Sequence, residues 1–310
     1  MQYESVFAND GCELAYQTSR SLEGPEPAVE PGAPCILLMH GFSGSSEYFV
    51  RNFDALTSQH WVVAPDMRGH GRSGRTAGGY HVARLAVDLH NLIAHLRHAA
   101  RADDIRFVPV GCSIGAAVLW TYVELFGDSD FAGFVFVDQA PLQDRSPFFS
   151  WGETKAHTGC YDERTMLGAQ RAWIEDPAGA AAGLVAECLG YRAQPAEQDG
   201  VSAEQSRQDE EFFASISAQC DGRWLAHLIA DHTRYDHREA IEQITVPTLV
   251  MAAMRSGCFL IEGMEETAKR VKNAEASVEV FQSGHWLFYE EAEKFNQRLL
   301  QFVDHVTAQD

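Results

Sequence analysis

The sequence predicts an α/β fold, a mostly parallel sheet flanked by helices and interrupted by one helical insertion. Three observations predict it. Short apolar runs alternate with stretches of helical period between Cys35 and Asp138. The alternation lapses over residues 141–243 and resumes at Thr245. At one strand-to-helix joint stands a Gly-x-Ser-x-Gly sequence, Gly111-Cys112-Ser113-Ile114-Gly115.

Each element can be justified in order. Residues 3–7 and 13–16 alternate apolar and polar side chains around Asn9-Asp10-Gly11, which reads as a hairpin. A Pro- and Gly-rich connector, EGPEPAVEPGAP, follows. Then come the strand CILLM, a helix over residues 47–58, the strand WVVAP and a long amphipathic helix from Tyr80. RFVPV leads into Gly111, a helix covers 116–125, and GFVFV ends at Asp138. Parallel strands need crossover connections, and a helix after each strand supplies them. Residues 141–243 read as helices with an exposed polar stretch, AEQDGVSAEQSRQDEE. The strand TVPTLVM, a helix over 262–271, the strand SVEVF and a last helix from Glu290 close the chain. This divides the protein into a core of residues 1–140 and 244–310 and a helical cap of residues 141–243.

Composition narrows the function. Of 310 residues, 45% are hydrophobic and 22% charged, an ordinary globular balance that can bury a sizeable core. Acidic residues outnumber basic ones by 44 to 24, and a net charge of −20 repels nucleic-acid phosphates and anionic lipid surfaces. Neither partner is expected. The seven cysteines are scattered singly, without a C-x-x-C pair or zinc spacing, which points to free thiols in a reducing compartment. The start, MQYESVFANDG, has no basic and apolar leader, and no run approaches the length of a membrane span, so a cytoplasmic location is expected.

The chemistry centres on Ser113. A serine on a tight turn between strand and helix projects its oxygen to an open surface, and the glycines on either side leave room for the turn. The helix N-terminus favours negative charge developing there. An isolated Gly-x-Ser-x-Gly is as readily a turn whose serine merely caps a helix; here the neighbouring motifs argue otherwise. CILLM runs into His40-Gly41-Phe42, where the Phe42 N–H, with the Ile114 N–H, can donate to a tetrahedral oxyanion. Only the backbone is needed for that, so the Phe42 side chain is free to vary. The segment PDMRGHGRSG contains G-x-G-x-x-G, but it follows the second strand of the alternation and no helix begins there, which argues against a dinucleotide site.

Taken in order, HGF, PDMRGHGRSG, GCSIG and SGHW resemble the α/β-hydrolase superfamily, and the resemblance covers nearly the whole chain outside the cap. It implies an eight-stranded, mostly parallel sheet, a helical cap after strand six, and a triad in the order serine, acid, histidine. The histidine carries over to His285 in Ser283-Gly284-His285-Trp286. In the family's commonest pattern the acid is an aspartate after strand seven; here that loop reads MAAMRSGCFLIEG, with Ser256 at the expected place. Serine cannot hold an imidazolium as a carboxylate does. Some members carry the acid after strand six, where GFVFV ends in Asp138, so Asp138 is the expected acid and Glu262, Asp231 and Asp236 the reserves. His90, His95 and His98, and the pair His232 and His237, read as solvated helix-face residues rather than metal ligands.

The expected catalytic set is therefore Ser113, His285 and Asp138, with Phe42 and Ile114 as oxyanion donors and neither cofactor nor metal. The expected substrate is an ester or lactone of a medium-sized hydrophobic or aromatic molecule, since Tyr161, Trp173, Phe212, Phe213, Trp224 and Tyr235, with Phe148, Phe149 and Trp151, enrich the cap in aromatics. In this the chain resembles lactonases with the acid after strand six, such as zearalenone hydrolase. Two other readings use the same scaffold. Cofactor-independent dioxygenases share the acid position and a proline like Pro109, but they have histidine where Cys112 stands. A non-catalytic receptor would bind a small hydrophobic signal without turnover. Epoxide hydrolases and haloalkane dehalogenases need a carboxylate at the elbow, which Ser113 is not.

Overall fold

The structure, a computed structural model, describes residues 1–22, 34–145, 159–272 and 275–308. The connector after Leu22 and the aromatics Phe148, Phe149 and Trp151 lie outside the described residues.

Eight strands form one sheet: β1 (Gln2–Phe7), β2 (Glu13–Thr18), β3 (Cys35–Met39), β4 (Trp61–Pro65), β5 (Phe107–Cys112), β6 (Phe134–Val137), β7 (Thr248–Ala253) and β8 (Ala276–Phe281). Their spatial order is β1-β2-β4-β3-β5-β6-β7-β8. The β1–β2 hairpin is antiparallel, β2 joins β4 antiparallel, and every later pair is parallel. β3 to β7 are buried on both faces, as continuous apolar runs such as CILLM and WVVAP require.

The helices in chain order are α1 (Phe53–Thr57), α2 (Val82–Ala100), α3 (Ile114–Phe126), α4 (Glu163–Glu175), α5 (Pro177–Cys188), α6 (Gly190–Ala193), α7 (Ala203–Ser217), α8 (Gly222–Arg234), α9 (Arg238–Ile241), α10 (Ile261–Arg270), α11 (Leu287–Glu290) and α12 (Ala292–Thr307). α4 to α9 all fall between β6 and β7, where the sequence loses its strand rhythm. The single helix expected over 47–58 is instead a 3₁₀ turn, Ser46–Phe49, followed by α1. The break falls at Asn52, whose buried amide donates to the Phe288 carbonyl and to Asn296 Oδ1 and so ties this segment to the C-terminal helices.

Two apolar layers sandwich the sheet. On one face α2 and α3 bury Leu89, Ile93 and Trp120 against Leu37, Phe107 and Phe136; on the other, Tyr48, Phe288 and Leu299 cover Ile36, Val110 and Val135. No helix among the described residues is long and apolar enough to cross a membrane.

The strand order fixes where a site can form. β4 precedes β3 in space while β5 follows it, so the sheet reverses direction around β3, and crevices open at the carboxyl ends of strands at such points. The loops after β3, β5 and β6 therefore emerge side by side.

Candidate active site

Ser113 sits between β5 and α3 with φ 54° and ψ −124°, a left-handed conformation that strains a residue bearing a Cβ. The glycines around it are dictated by contact. A Cβ on Gly111 would lie 2.6 Å from the Ala116 nitrogen, and one on Gly115 would lie 2.7 Å from the Met39 carbonyl oxygen. The same close approach brings the loop after β3 onto the elbow: a Cβ on Gly41 would stand 3.4 Å from Ser113 Cβ.

His40 braces that loop. Burial holds its imidazole down to about 4, so it is neutral near pH 7, with Nδ1–H donating to the Gly41 carbonyl (2.8 Å) and Nε2 accepting from the Met67 N–H (2.9 Å). Met67 opens the segment around Asp66, whose carboxylate accepts from the Ser46 and Arg72 N–H groups (2.7 and 2.9 Å). Gly69 and Gly71, both at positive φ, let this loop fold against Trp224 and Asp66. Its glycines shape a loop beside the elbow, as the sequence suggests.

Asp138 follows β6 with φ 44° and is buried. Its N–H donates to the Met251 carbonyl (2.9 Å), and its Oδ1 accepts from the Ala253 N–H (3.1 Å), so β7 fixes the carboxylate. Oδ2 then accepts from His285 Nδ1 at 2.6 Å. That tautomer leaves His285 Nε2 free to accept a proton. Ser113 and His285 line one small cavity of about 40 Å³ with Phe42, and the Ser113 hydroxyl donates to Gln139 Oε1 at 3.5 Å. Ile114 opens α3, where helical N–H groups have no intrahelical partner, so its N–H is a free donor by position.

The reserve acids are occupied elsewhere. Asp231 accepts from the Val82 N–H (2.8 Å) at the start of α2, Asp236 pairs with Arg238 (2.6 Å), and Glu262 lies exposed in the first turn of α10. Ser256, in the loop after β7, accepts from the Cys258 and Phe259 N–H groups (3.1 and 3.2 Å) and holds the turn.

Two expectations need correction. His232 and His237 are buried, not solvated: the apolar face of α8 carries His232 inward with Leu225, Leu228 and Ile229, and His237 Nε2 meets Thr121 Oγ1 at 3.0 Å. The Phe42 side chain is not idle either, since it packs edge-on against Trp173 of α4 (5.5 Å). His90, by contrast, is exposed and stacks on Phe126, and His98 is exposed.

Sequence reasoning missed several residues at the site. Gln143, Glu187 and the cysteines Cys160, Cys188 and Cys258 border the cavity, Gln139 accepts from Ser113, and no local motif marks any of them. Burial raises the Glu187 carboxyl above the ordinary carboxylate range. Cys188 and Cys258 face each other at 3.8 Å, and with His285 they offer three ligand atoms within 4.8 Å of one another. His285 Nδ1 is committed to Asp138, so a soft metal held there would take Nε2. All seven cysteines are free.

A larger cavity of about 770 Å³ adjoins the first, sharing Phe42, Tyr161, Leu184, Glu187 and Phe259 with it and adding Trp173 and Leu260.

A serine elbow beside the turn of a doubly wound sheet, sharing a cavity with a carboxylate-held histidine, defines a protein of the α/β hydrolase class. The chain belongs to the α/β hydrolase fold family, whose model matches residues 34–292. It is 25% identical to epoxide hydrolase A of Mycobacterium tuberculosis, across 89% of this chain and 92% of that protein. Among solved structures it is similar to the esterase EaEST of Exiguobacterium antarcticum (TM-score 0.78, 20% identity, 97% and 98% of the two chains). It is also similar to the enol-lactonase of Burkholderia xenovorans LB400 (TM-score 0.73, 17% identity, 97% and 100%). At these identities the structural likeness speaks for the fold.

Proposed function

We propose that the protein is a serine hydrolase that cleaves a carboxylic ester or lactone of a medium-sized hydrophobic or aromatic molecule through an acyl-enzyme on Ser113. The observation that carries this reading is the buried pair in which Asp138 holds His285 Nδ1 at 2.6 Å, on the cavity that Ser113 also lines. His285 Nε2 takes the Ser113 proton as Oγ attacks the acyl carbon, and the Phe42 and Ile114 N–H groups receive the oxyanion. Collapse of the tetrahedral intermediate expels the alcohol, which takes the proton back from His285. Water, deprotonated by the same nitrogen, then releases the acid.

The volume and lining of the larger cavity support the substrate class, since about 770 Å³ bordered by Phe42, Trp173, Leu184, Phe259 and Leu260 suits a drug-sized apolar group. In this reading residues 141–243 form the cap, and the free thiols and net charge of −20 fit a cytoplasmic protein. Ser113 in place of an elbow carboxylate argues against the alkyl-ester route that epoxide opening uses on this scaffold.

Pre-steady-state hydrolysis of p-nitrophenyl butyrate tests the proposal. The expected result is a burst of p-nitrophenol approaching one equivalent per active site, absent in Ser113→Ala. Turnover that survives Ser113→Ala, or tight ligand binding with no turnover, would contradict it.

A further inference from the structure

Among the described residues, His232 is the one buried histidine with no hydrogen-bond partner on either ring nitrogen, although it is 3% exposed. The other buried histidines differ. His40, His70 and His237 each have at least one nitrogen bonded to a backbone or side-chain group. Buried polar atoms are almost always paired, so a side chain with both atoms unmet needs an explanation in the space it borders. His232 lines the same cavity as Ser113 and His285.

A second residue on that cavity shows the same lack. Gln143 is 4% exposed, its Nε2 donates to Cys160 Sγ at 3.4 Å, and its Oε1 has no partner. Gln143 follows β6 and His232 comes from α8, so these groups reach the cavity from separate parts of the chain.

We propose that His232 and Gln143 recognise an uncharged hydroxyl group, alcoholic or phenolic, carried by the substrate close to its scissile carbonyl. This rests on the serine-hydrolase reading above. Burial depresses the His232 imidazole to about 3, so near pH 7 it is neutral and offers one N–H donor and one nitrogen acceptor. Gln143 Oε1 adds a second acceptor. A hydroxyl can accept from the His232 N–H and donate to Gln143 Oε1, a pairing that a ketone or ether, which only accept, cannot complete. A carboxylate is disfavoured. Glu187 borders the cavity, and no cationic side chain lines it among the described residues.

Phenyl benzoate and its 2-, 3- and 4-hydroxy derivatives test the inference as ratios of kcat/KM, hydroxylated over parent, in a single preparation of enzyme. Loss of folded protein cancels in such a ratio. In the wild type at least one isomer is expected to exceed the parent about tenfold or more, because a site built to bond a hydroxyl discriminates against its absence. His232→Phe is expected to bring that ratio to near one, and His232→Gln, which keeps a donor and an acceptor, to restore part of it. Wild-type ratios near one for all three isomers, or a ratio retained in His232→Phe, would overturn the inference. Labelling of Ser113 by a fluorophosphonate in the same preparations separates the two levels. A labelled enzyme without discrimination sinks only the hydroxyl reading, whereas an unlabelled one sinks the hydrolase reading beneath it.

Discussion

Asp138 acts through geometry that few substitutions can preserve. Its two oxygens have different tasks: Oδ1 is tied to the Ala253 N–H and Oδ2 to His285. Asp138→Asn keeps the volume but offers an amide where His285 needs an acceptor, which favours the wrong tautomer. Turnover is expected to fall on the order of a thousandfold or more, with the urea midpoint little changed. Glu262→Gln, at an exposed site in the first turn of α10, is expected to alter neither. Ser256 gives the complementary case. It stands where the family's more common acid would be, yet its hydroxyl closes the turn that carries Cys258 and Phe259. Ser256→Ala should therefore cost about 1 kcal/mol of stability in chemical denaturation while kcat stays near wild type. Residue placement was readable where a motif carries it, as at Ser113 on its turn and His285 after β8. It was not readable at His232, because a histidine on an amphipathic helix looks solvated until the packing of α8 shows which face turns inward.

The elements explain why the site needs its glycines. The elbow between β5 and α3 and the loop after β3 pack backbone against backbone, so Gly115→Ala would thrust a Cβ to 2.7 Å from the Met39 carbonyl oxygen and 2.9 Å from that of His40. Neither carbonyl can yield without moving the donors, and a displacement of an ångström at a reacting centre costs about a hundredfold in rate. The kcat/KM of Gly115→Ala on p-nitrophenyl butyrate should show a loss of that order. A second junction joins the His285 loop to the inserted helices. Glu290 accepts from the N–H groups of Gly190 and Gly284 (3.0 Å each), at a place where a Cβ on Gly284 would meet the Gly190 nitrogen at 2.2 Å. Burial, more than these two hydrogen bonds can offset, raises the Glu290 carboxyl to about 7. A folded-state value above the unfolded one means that the folded chain binds the extra proton. This stabilisation is complete below about pH 4.5 and is lost as pH rises through about 7. The difference between wild-type and Glu290→Gln denaturation midpoints from pH 4 to 8 should follow that curve, whereas a pH-independent difference would contradict it. Strand and helix order was legible because periodicity and punctuation recur along the chain. The break at Asn52 was not, since it answers to partners more than two hundred residues away, Phe288 and Asn296.

At the scale of the whole molecule, strand order does what local sequence cannot. Ser113, Asp138 and His285 are separated by up to 172 residues in the chain (285 − 113 = 172), and they meet because β5, β6 and β7 are neighbours and the chain returns past β8 to the same edge. Motifs marked Ser113 and His285, and Asp138 was expected only from its place at the end of GFVFV; the structure shows that Asp138 and His285 share a hydrogen bond. The run of helices between β6 and β7 was visible as a lapse in strand rhythm. The cavity was not, since pockets arise from what packing leaves unfilled, and Glu187, Gln143 and the thiols reach it from α5, the segment after β6 and the loop after β7. The hairpin end of the molecule is fastened by Arg68, which bridges Asp88 (2.6 Å) and Asp10 (2.8 Å). One of these distant residues, Ser113, is the proposed activated nucleophile. The most direct test is to treat folded protein with a fluorophosphonate and locate the adduct by peptide mass spectrometry, with Ser113→Ala as the control. A single stoichiometric adduct on Ser113, absent from the control, is expected; folded protein that stays unlabelled at Ser113, or is labelled elsewhere, would overturn that role.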